Sequence, residues 1–262
     1  MMMREPKYPV QTVMKAIEVI NYLAKDTAGG GISISEFSRA LGMGKSTIHR
    51  ILDTLQFYGY IEKEEDSNRY RLGWELYKIG QVLPLQNQLF NINQAFLVDL
   101  NNKTQEVVNL GILKRNETVI ISQIEGSHNG LRVNVNPGVY ESIHATAIGK
   151  MMISEMDADQ IKELVGGSDA LPIHTMNTIS NLQDLLKEIK ITRQRGYSVD
   201  AEELCVGLYC IAMPLRDYTG KIVAAISVST PTARMNDEKK ALILKSLEET
   251  TKKVSESLGY RI

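Results

Sequence analysis

The chain has 262 residues, of which 43% are hydrophobic, 23% charged and 6% aromatic. That length allows one large domain or two ordinary ones, and the near-average composition excludes a disordered, collagen-like or acidic-tail protein. With 30 Lys plus Arg against 31 Asp plus Glu the net charge is −1, so any nucleic-acid contact must come from a local patch rather than an overall field.

No run of about 18 apolar residues predicts a membrane-spanning helix. The stretch from Met1 to Tyr8 lacks the apolar run of a secretory signal. Cys205 and Cys210 stand five residues apart. In one strand they would be about 16 Å apart, too far to bridge, so a reduced, cytoplasmic protein is expected.

Val13, Ala16, Ile17, Ile20 and Leu23 recur at three- and four-residue spacing and predict a first helix, stopped by Thr27-Ala28-Gly29-Gly30-Gly31. Ser33 and Glu36 form a capping-box pair at the head of a short second helix carrying Ile34, Phe37, Ala40 and Leu41. After the glycine turn Leu41-Gly42-Met43-Gly44, a third helix is predicted over 45–58, with Ile48, Ile51, Leu52 and Leu55 inward. Strands are expected at 59–63 and 69–72, around a polar turn at 64–68. Three short helices and a hairpin are the outline of a winged helix-turn-helix.

A linking helix over 74–87 is predicted to bend or end at Pro84, and another helix over 91–103. Strands then follow at 106–114, 118–124 and 131–135, with helices at 145–155, 157–164 and 181–195. Strands at 197–200, 208–215 and 222–229 and a last helix over 237–258 complete the chain. The expected organisation is 1–75, 76–90 as linker, and 91–262.

On the third helix, Ser46, His49, Arg50 and Asp53 lie opposite the apolar arc, flanked by Lys45 and Thr47. Short hydroxyls and cations at a helix N-terminus suit a recognition helix, whose first turns meet base edges in the major groove. Arg50 can pair with guanine O6 and N7, and Ser46 and Thr47 can contact phosphate or a thymine methyl. Arg69 and Arg71 at the hairpin can reach the minor groove or the backbone. Any surface helix carries charge, however, and the first 75 residues hold as many acids as bases.

In the back half, Ser227 and Ser229 share one strand face, as do Leu208, Cys210 and Ala212. Asp200 ends a short strand. The segment 144–149 opens a helix whose first N–H groups favour an anion. Competing readings are plain packing for the two serines, a small buried hydrophobe for Cys210 and core positions for Met151 and Met152. His144 reads as a helix-entry residue, His128 falls in a turn and His174 in a loop, with no pair at metal-ligand spacing.

The run Lys45-Ser46-Thr47-Ile48-His49-Arg50-Ile51-Leu52, then Gly59-Tyr60-Ile61 and Tyr70-Arg71-Leu72-Gly73, resembles the IclR family of bacterial transcriptional regulators. So do Ile143-His144-Ala145-Thr146-Ala147-Ile148-Gly149-Lys150, the block Gly196 to Glu203, Gly207-Leu208-Tyr209-Cys210-Ile211-Ala212, and Ala224-Ala225-Ile226-Ser227-Val228-Ser229. Gly44 departs from the pattern, because the family usually opens the recognition helix with proline.

The resemblance implies an α+β protein with an N-terminal winged helix-turn-helix, a linker helix and a C-terminal GAF-like α/β effector-binding domain. It implies homodimers or homotetramers on double-stranded, palindromic operator DNA; a repressor is expected rather than an activator, although the sequence itself does not reveal the sign of regulation. It also implies that the amides of Ala147 and Ile148, with Asp200, Leu208, Cys210, Ser227 and Ser229, hold a small carboxylate or aromatic-acid effector. No cofactor or membrane partner is expected. The competing enzymatic reading is a hydrolase or transferase with Cys210 as nucleophile and His144 as base, which lacks an orienting third group.

Overall fold

The computed structural model describes residues 7–26, 29–64, 66–82, 94–126 and 140–261, and the chain divides into two units between Gln88 and Leu89. The front unit contains α1 (Gln11–Leu23), α2 (Ile34–Leu41) and α3 (Lys45–Phe57), then β1 (Ile61–Lys63), β2 (Tyr70–Leu72) and α4 (Trp74–Gly80). The two strands pair antiparallel, Ile61 opposite Leu72 and Lys63 opposite Tyr70. Three helices and a hairpin enclose Val19, Leu23, Phe37, Ile48, Ile51, Leu52, Ile61 and Tyr70.

Helix α2 starts where its cap dictates. Ser33 Oγ accepts the Glu36 N–H, and the Glu36 carboxylate accepts the Ser33 N–H at 2.8 Å, satisfying two of the orphan donors of a helix start. Helix α1 differs from its single predicted stripe. Val19 and Leu23 are buried, whereas Val13 and Ile17 are 54% and 52% exposed. Its apolar residues occupy two faces, and only one packs on α2 and α3.

The back unit opens with α5 (Gln94–Thr104) and continues through β3 (Val107–Lys114), β4 (Glu117–Ile124) and β5 (Tyr140–Ser142) to α6 (Ala147–Met152), α7 (Ala158–Leu164) and α8 (Leu182–Arg195). Then come β6 (Ser198–Ala201), β7 (Leu208–Arg216), β8 (Ile222–Pro231) and α9 (Asp237–Ser257). The six strands form one antiparallel sheet in the order β5-β4-β3-β8-β7-β6.

Alternation sorts the side chains of this sheet. Val108, Leu110, Ile112, Ile211, Leu215, Ala224, Ile226 and Val228 pack with Leu97 and Leu100 of α5 and Ile243, Leu247 and Val254 of α9. On the other face, Ile120, Leu208, Cys210, Ala212 and Ala225 pack with Ala147, Ile148, Met151 and Met152 of α6. A further apolar layer joins Ile143 and Ile153 to Ile161 of α7 and Leu182, Leu185 and Ile189 of α8.

Helix α6 begins two residues later than the expected 145. Thr146 is extended (φ −109°, ψ 147°) and its hydroxyl caps the helix by accepting the Gly149 N–H at 3.1 Å. Gly149 is needed for close approach, because a Cβ there would sit 2.2 Å from the Ile143 carbonyl oxygen. The three-residue β5 was not expected. The predicted strand 131–135, the bend at Pro84 and His128 lie outside the described residues, as does the start of the helix expected at 91.

The N-cap of α3, Gly44, has φ −61° and ψ 142°, values that proline adopts. An added Cβ meets nothing within 4 Å, and the Gly44 N–H donates to no backbone acceptor among the described residues. Gly44→Pro is therefore expected to stabilise the protein by about 0.4–1 kcal/mol, read as a rise in urea midpoint. A fall would show that Met43 cannot accommodate the proline ring.

Candidate functional site

The first surface of interest is the outer face of α3. Ile48, Ile51 and Leu52 anchor the helix in the core, which leaves Lys45, Ser46, His49 and Arg50 exposed and Thr47 half-buried. Among the described residues neither Lys45 nor Arg50 has an ion-pair partner. A groove of about 250 Å³ runs between α1 and α3, lined by Gln11, Lys15, Thr47, Arg50 and Thr54 among others. Lys15 therefore stands beside Thr47 and Arg50, a neighbour with no counterpart in the sequence pattern.

The hairpin arginines are placed differently. Arg69 Nε donates to the Gly30 and Gly31 carbonyls at 2.9 and 3.0 Å, and its guanidinium reaches Glu36 at 2.8 Å. It clasps the hairpin to α2. The Ser33 hydrogen bonds, with this arginine, hold the Glu36 carboxyl down at about 2. Arg71 stays half-exposed and pairs with Glu64 at 2.8 Å.

The second site is a cavity of about 30 Å³ in the back unit, between the sheet and α6. Ala147, Ile148, Asp200, Leu208, Cys210, Ser227 and Ser229 all line it, and so do Asn109, Ile120, Glu141, Thr146 and Leu204. Register explains the convergence. Asp200 faces Cys210, which faces Ser229, across β6, β7 and β8. One row along, Ser198, Ala212, Ser227, Asn109 and Gln123 follow across five strands. A larger cleft of about 570 Å³ lies on the α9 side, lined by Arg195, Tyr197, Met213, Arg216 and Lys245 among others. It is an open surface groove, without the buried polar convergence that marks the smaller cavity.

Asp200 is almost fully buried. Its Oδ1 accepts the Glu203 N–H at 2.7 Å and the Leu204 N–H at 3.4 Å, which pins the loop after β6 over the cavity. Burial is the main cause that raises its carboxyl to about 7, against the lowering effects of those N–H groups and of Lys150. Glu141 is also pushed up by burial. Behind the cavity, the wholly buried Lys150 of α6 pairs with Glu203 at 2.5 Å, and Thr178 Oγ1 donates to the Glu203 carbonyl at 2.6 Å. Lys150 and Glu203 stand 53 residues apart, so nothing in local spacing identified them as a pair.

The geometry does not support the cysteine-nucleophile reading. Cys210 is buried, and burial pushes its thiol well above the ordinary value, the reverse of what a nucleophile requires. Its S–H donates to Ser229 Oγ at 3.2 Å. His144 instead donates from Nε2 to the Pro172 carbonyl at 2.8 Å and stacks on His174. Cys205 is exposed, in the loop before β7 rather than in a strand with Cys210. Among the described residues no group of three metal-ligating side chains occurs, and no helix is long and apolar enough to cross a membrane.

A winged helix with a cationic outer helix, followed by an α/β unit enclosing a polar cavity, defines a ligand-responsive DNA-binding regulator. The comparisons with known proteins agree. The IclR helix-turn-helix domain matches residues 12–65, and the bacterial transcriptional regulator IclR C-terminal domain matches residues 60–256. The transcriptional regulator KdgR of Dickeya chrysanthemi is 32% identical over 252 residues, covering 96% of this chain and 81% of that protein. The transcriptional repressor AllR of Escherichia coli K12 is 28% identical, over 96% of this chain and 91% of that protein. The crystal structure of the Thermotoga maritima IclR superposes with a TM-score of 0.77 at 29% identity, covering 95% of this chain and 99% of that one. The chain belongs to the IclR family: it is a DNA-binding transcriptional regulator with an effector-binding C-terminal domain, and not an enzyme.

The raised Asp200 carboxyl gives a signed expectation. Between about 4 and 7 the folded state holds a proton that the unfolded chain has released, so this group's contribution to stability is lost as pH rises through that window. Glu203, Lys150, Glu141 and Cys210 surround it. Asp200→Asn keeps the Oδ1 acceptor and removes the charge. At pH 8 it should exceed the wild type in stability by on the order of 1–3 kcal/mol, with no gain at pH 4. Equal gains at both pH values in denaturant titrations would contradict the burial account.

Proposed function

We propose that this protein is a repressor whose operator occupancy is set by a small organic acid held in the back-unit cavity. In this reading 1–75 is the DNA-binding domain, 76–90 the linker and 91–262 the effector domain. The single observation that carries it is the convergence of Asp200, Cys210, Ser227, Ser229, Ala147 and Ile148 on one buried cavity in a chain that also carries a DNA-reading fold. The repressor sign is supported by AllR, which is named a repressor.

On the DNA side, α3 enters the major groove. Arg50 reads a guanine, Lys45, Ser46, Thr47 and His49 contact bases or phosphates, and Lys15 adds a phosphate contact from α1. Arg71 reaches the backbone by exchanging Glu64 for phosphate. Arg69 braces the hairpin and contributes to DNA binding through its position. The exposed apolar face of α1 (Val13, Met14 and Ile17) with its N-cap Val10, together with exposed Trp74 and Tyr77 on α4, supports pairing with a second copy. A homodimer, or a tetramer built from it, would then read a palindrome in the cytoplasm.

On the effector side, hydroxyls and first-turn amides supply donors, while Asp200 and Glu141 face them. That combination suits a small hydroxy- or keto-carboxylate or an aromatic acid: the carboxylate meets the donors and a ligand hydroxyl meets a carboxyl group. A cavity of about 30 Å³ has room for a water or two rather than an organic acid. Binding therefore widens the gap between α6 and the sheet, and that difference between bound and free shapes is what an effector can exploit.

Two measurements test the two halves. Arg50→Ala should weaken operator binding by about 1–3 kcal/mol and relax one base position. A uniform loss across all sequences would make Arg50 a phosphate contact. By calorimetry with the acid that most raises the melting temperature, Asp200→Ala and Ser227→Ala should each lose affinity about tenfold or more. Unchanged affinity in both would remove the cavity from the account.

A further inference from the structure

The sheet side of the cavity has a hydrogen-bonding direction built into it. Asn109 on β3 stands in register between Gln123 of β4 and Ser227 of β8 and is almost fully buried. Its amide nitrogen donates to Ser229 Oγ at 3.1 Å and Ser227 Oγ at 3.4 Å, and its amide oxygen accepts from Gln123 Nε2 at 2.9 Å. Ser229 Oγ also receives the Cys210 thiol. Both seryl oxygens thus act as acceptors toward the protein, and neither hydroxyl donates to a protein atom among the described residues.

Each serine hydroxyl has one hydrogen to give, and here both remain for whatever fills the cavity. A reversed Asn109 amide would present its oxygen to the serines and take up those hydrogens. Gln123, which does not line the cavity, donates to Oδ1 and so favours the present sense of the amide. Two O–H groups two residues apart on one strand face match the two oxygens of a carboxylate. A carboxamide offers one oxygen, and its NH2 would meet a donor.

We propose that Asn109, oriented by Gln123, is a positioning residue that makes the Ser227–Ser229 side of the cavity donate, and thereby selects a carboxylate over its neutral amide. The inference rests on the reading of this cavity as the effector site.

A double-mutant cycle on the full-length protein tests it, using calorimetry with lactate, pyruvate, malate and 4-hydroxybenzoate and the carboxamide of each. Wild type should bind at least one acid about tenfold or more tighter than its amide. Gln123→Glu accepts where glutamine donated and so reverses the Asn109 amide from outside the cavity. It should lower the acid-over-amide preference by about tenfold. Asn109→Leu should cost the preference a few-fold, and adding Gln123→Glu to it should change little further, less than about twofold. Thermal melts confirm folding, and Asn109→Ala replaces the leucine variant should that one not fold.

A Gln123→Glu effect of equal size in both backgrounds would be simple charge repulsion and would overturn the role of Asn109 while leaving the cavity reading intact. So would a wild type with no preference for any acid over its amide. Acid binding that ignores both Ser227→Ala and Asp200→Ala would instead overturn the cavity reading, and this inference with it.

Discussion

A sheet covered on both faces is under strong pressure to pair the polar groups it buries, and that pressure organises the back unit. Strands β3 and β8 lie under α5 and α9 on one side and α6 on the other, so both are buried along nearly their whole length. The α9 side is filled mainly by aliphatic side chains, with Ser246, Thr250, Thr251 and Ser255 of α9 buried beside them. The α6 side carries Asn109, Ser227, Ser229, Cys210 and Asp200, whose hydrogen bonds largely answer one another across the strands. Such a network is retained at the expense of apolar packing. In the proposed reading, its placement against the start of α6 would tie a change of ligand to a change of packing, because α6 also carries Lys150, whose buried charge is answered by Glu203 in the loop after β6.

The front unit uses its charges in two ways. Among the described residues Lys45 and Arg50 on α3 have no ion-pair partner, so they are available to phosphates and bases. Arg69 is spent inside the fold, where its contacts with Gly30, Gly31 and Glu36 fix the hairpin against α2. A wing held that firmly presents Arg71 at a defined place, and an exposed ion pair such as Arg71–Glu64 is weak enough to be exchanged for phosphate.

Much of this was legible from residue order because the signals were local. The Ser33–Glu36 box fixed the start of α2, the spacing of Ile48, Ile51 and Leu52 fixed the inner face of α3, and strand alternation put Ser227 and Ser229 on one face. What escaped was set by distant partners. Asn109 reaches Ser227 across 118 residues, and Glu141 lies on a strand too short to announce itself. The contacts of Arg69 within the fold also escape residue order, because its acceptors belong to the loop and helix before α3. Helix α1 misled differently: its apolar residues form two faces, and periodicity alone merges them into one stripe.

The central claim is that the DNA-reading surface and the polar cavity belong to one switch. Its most direct measurement is a gel-shift titration of the protein on its own upstream promoter fragment at low ionic strength, with and without the acid that binds best. The account predicts a retarded band whose half-saturating protein concentration moves by about fivefold or more when the acid is added. A fragment that is never retarded, or one retarded identically at every acid concentration, would contradict it.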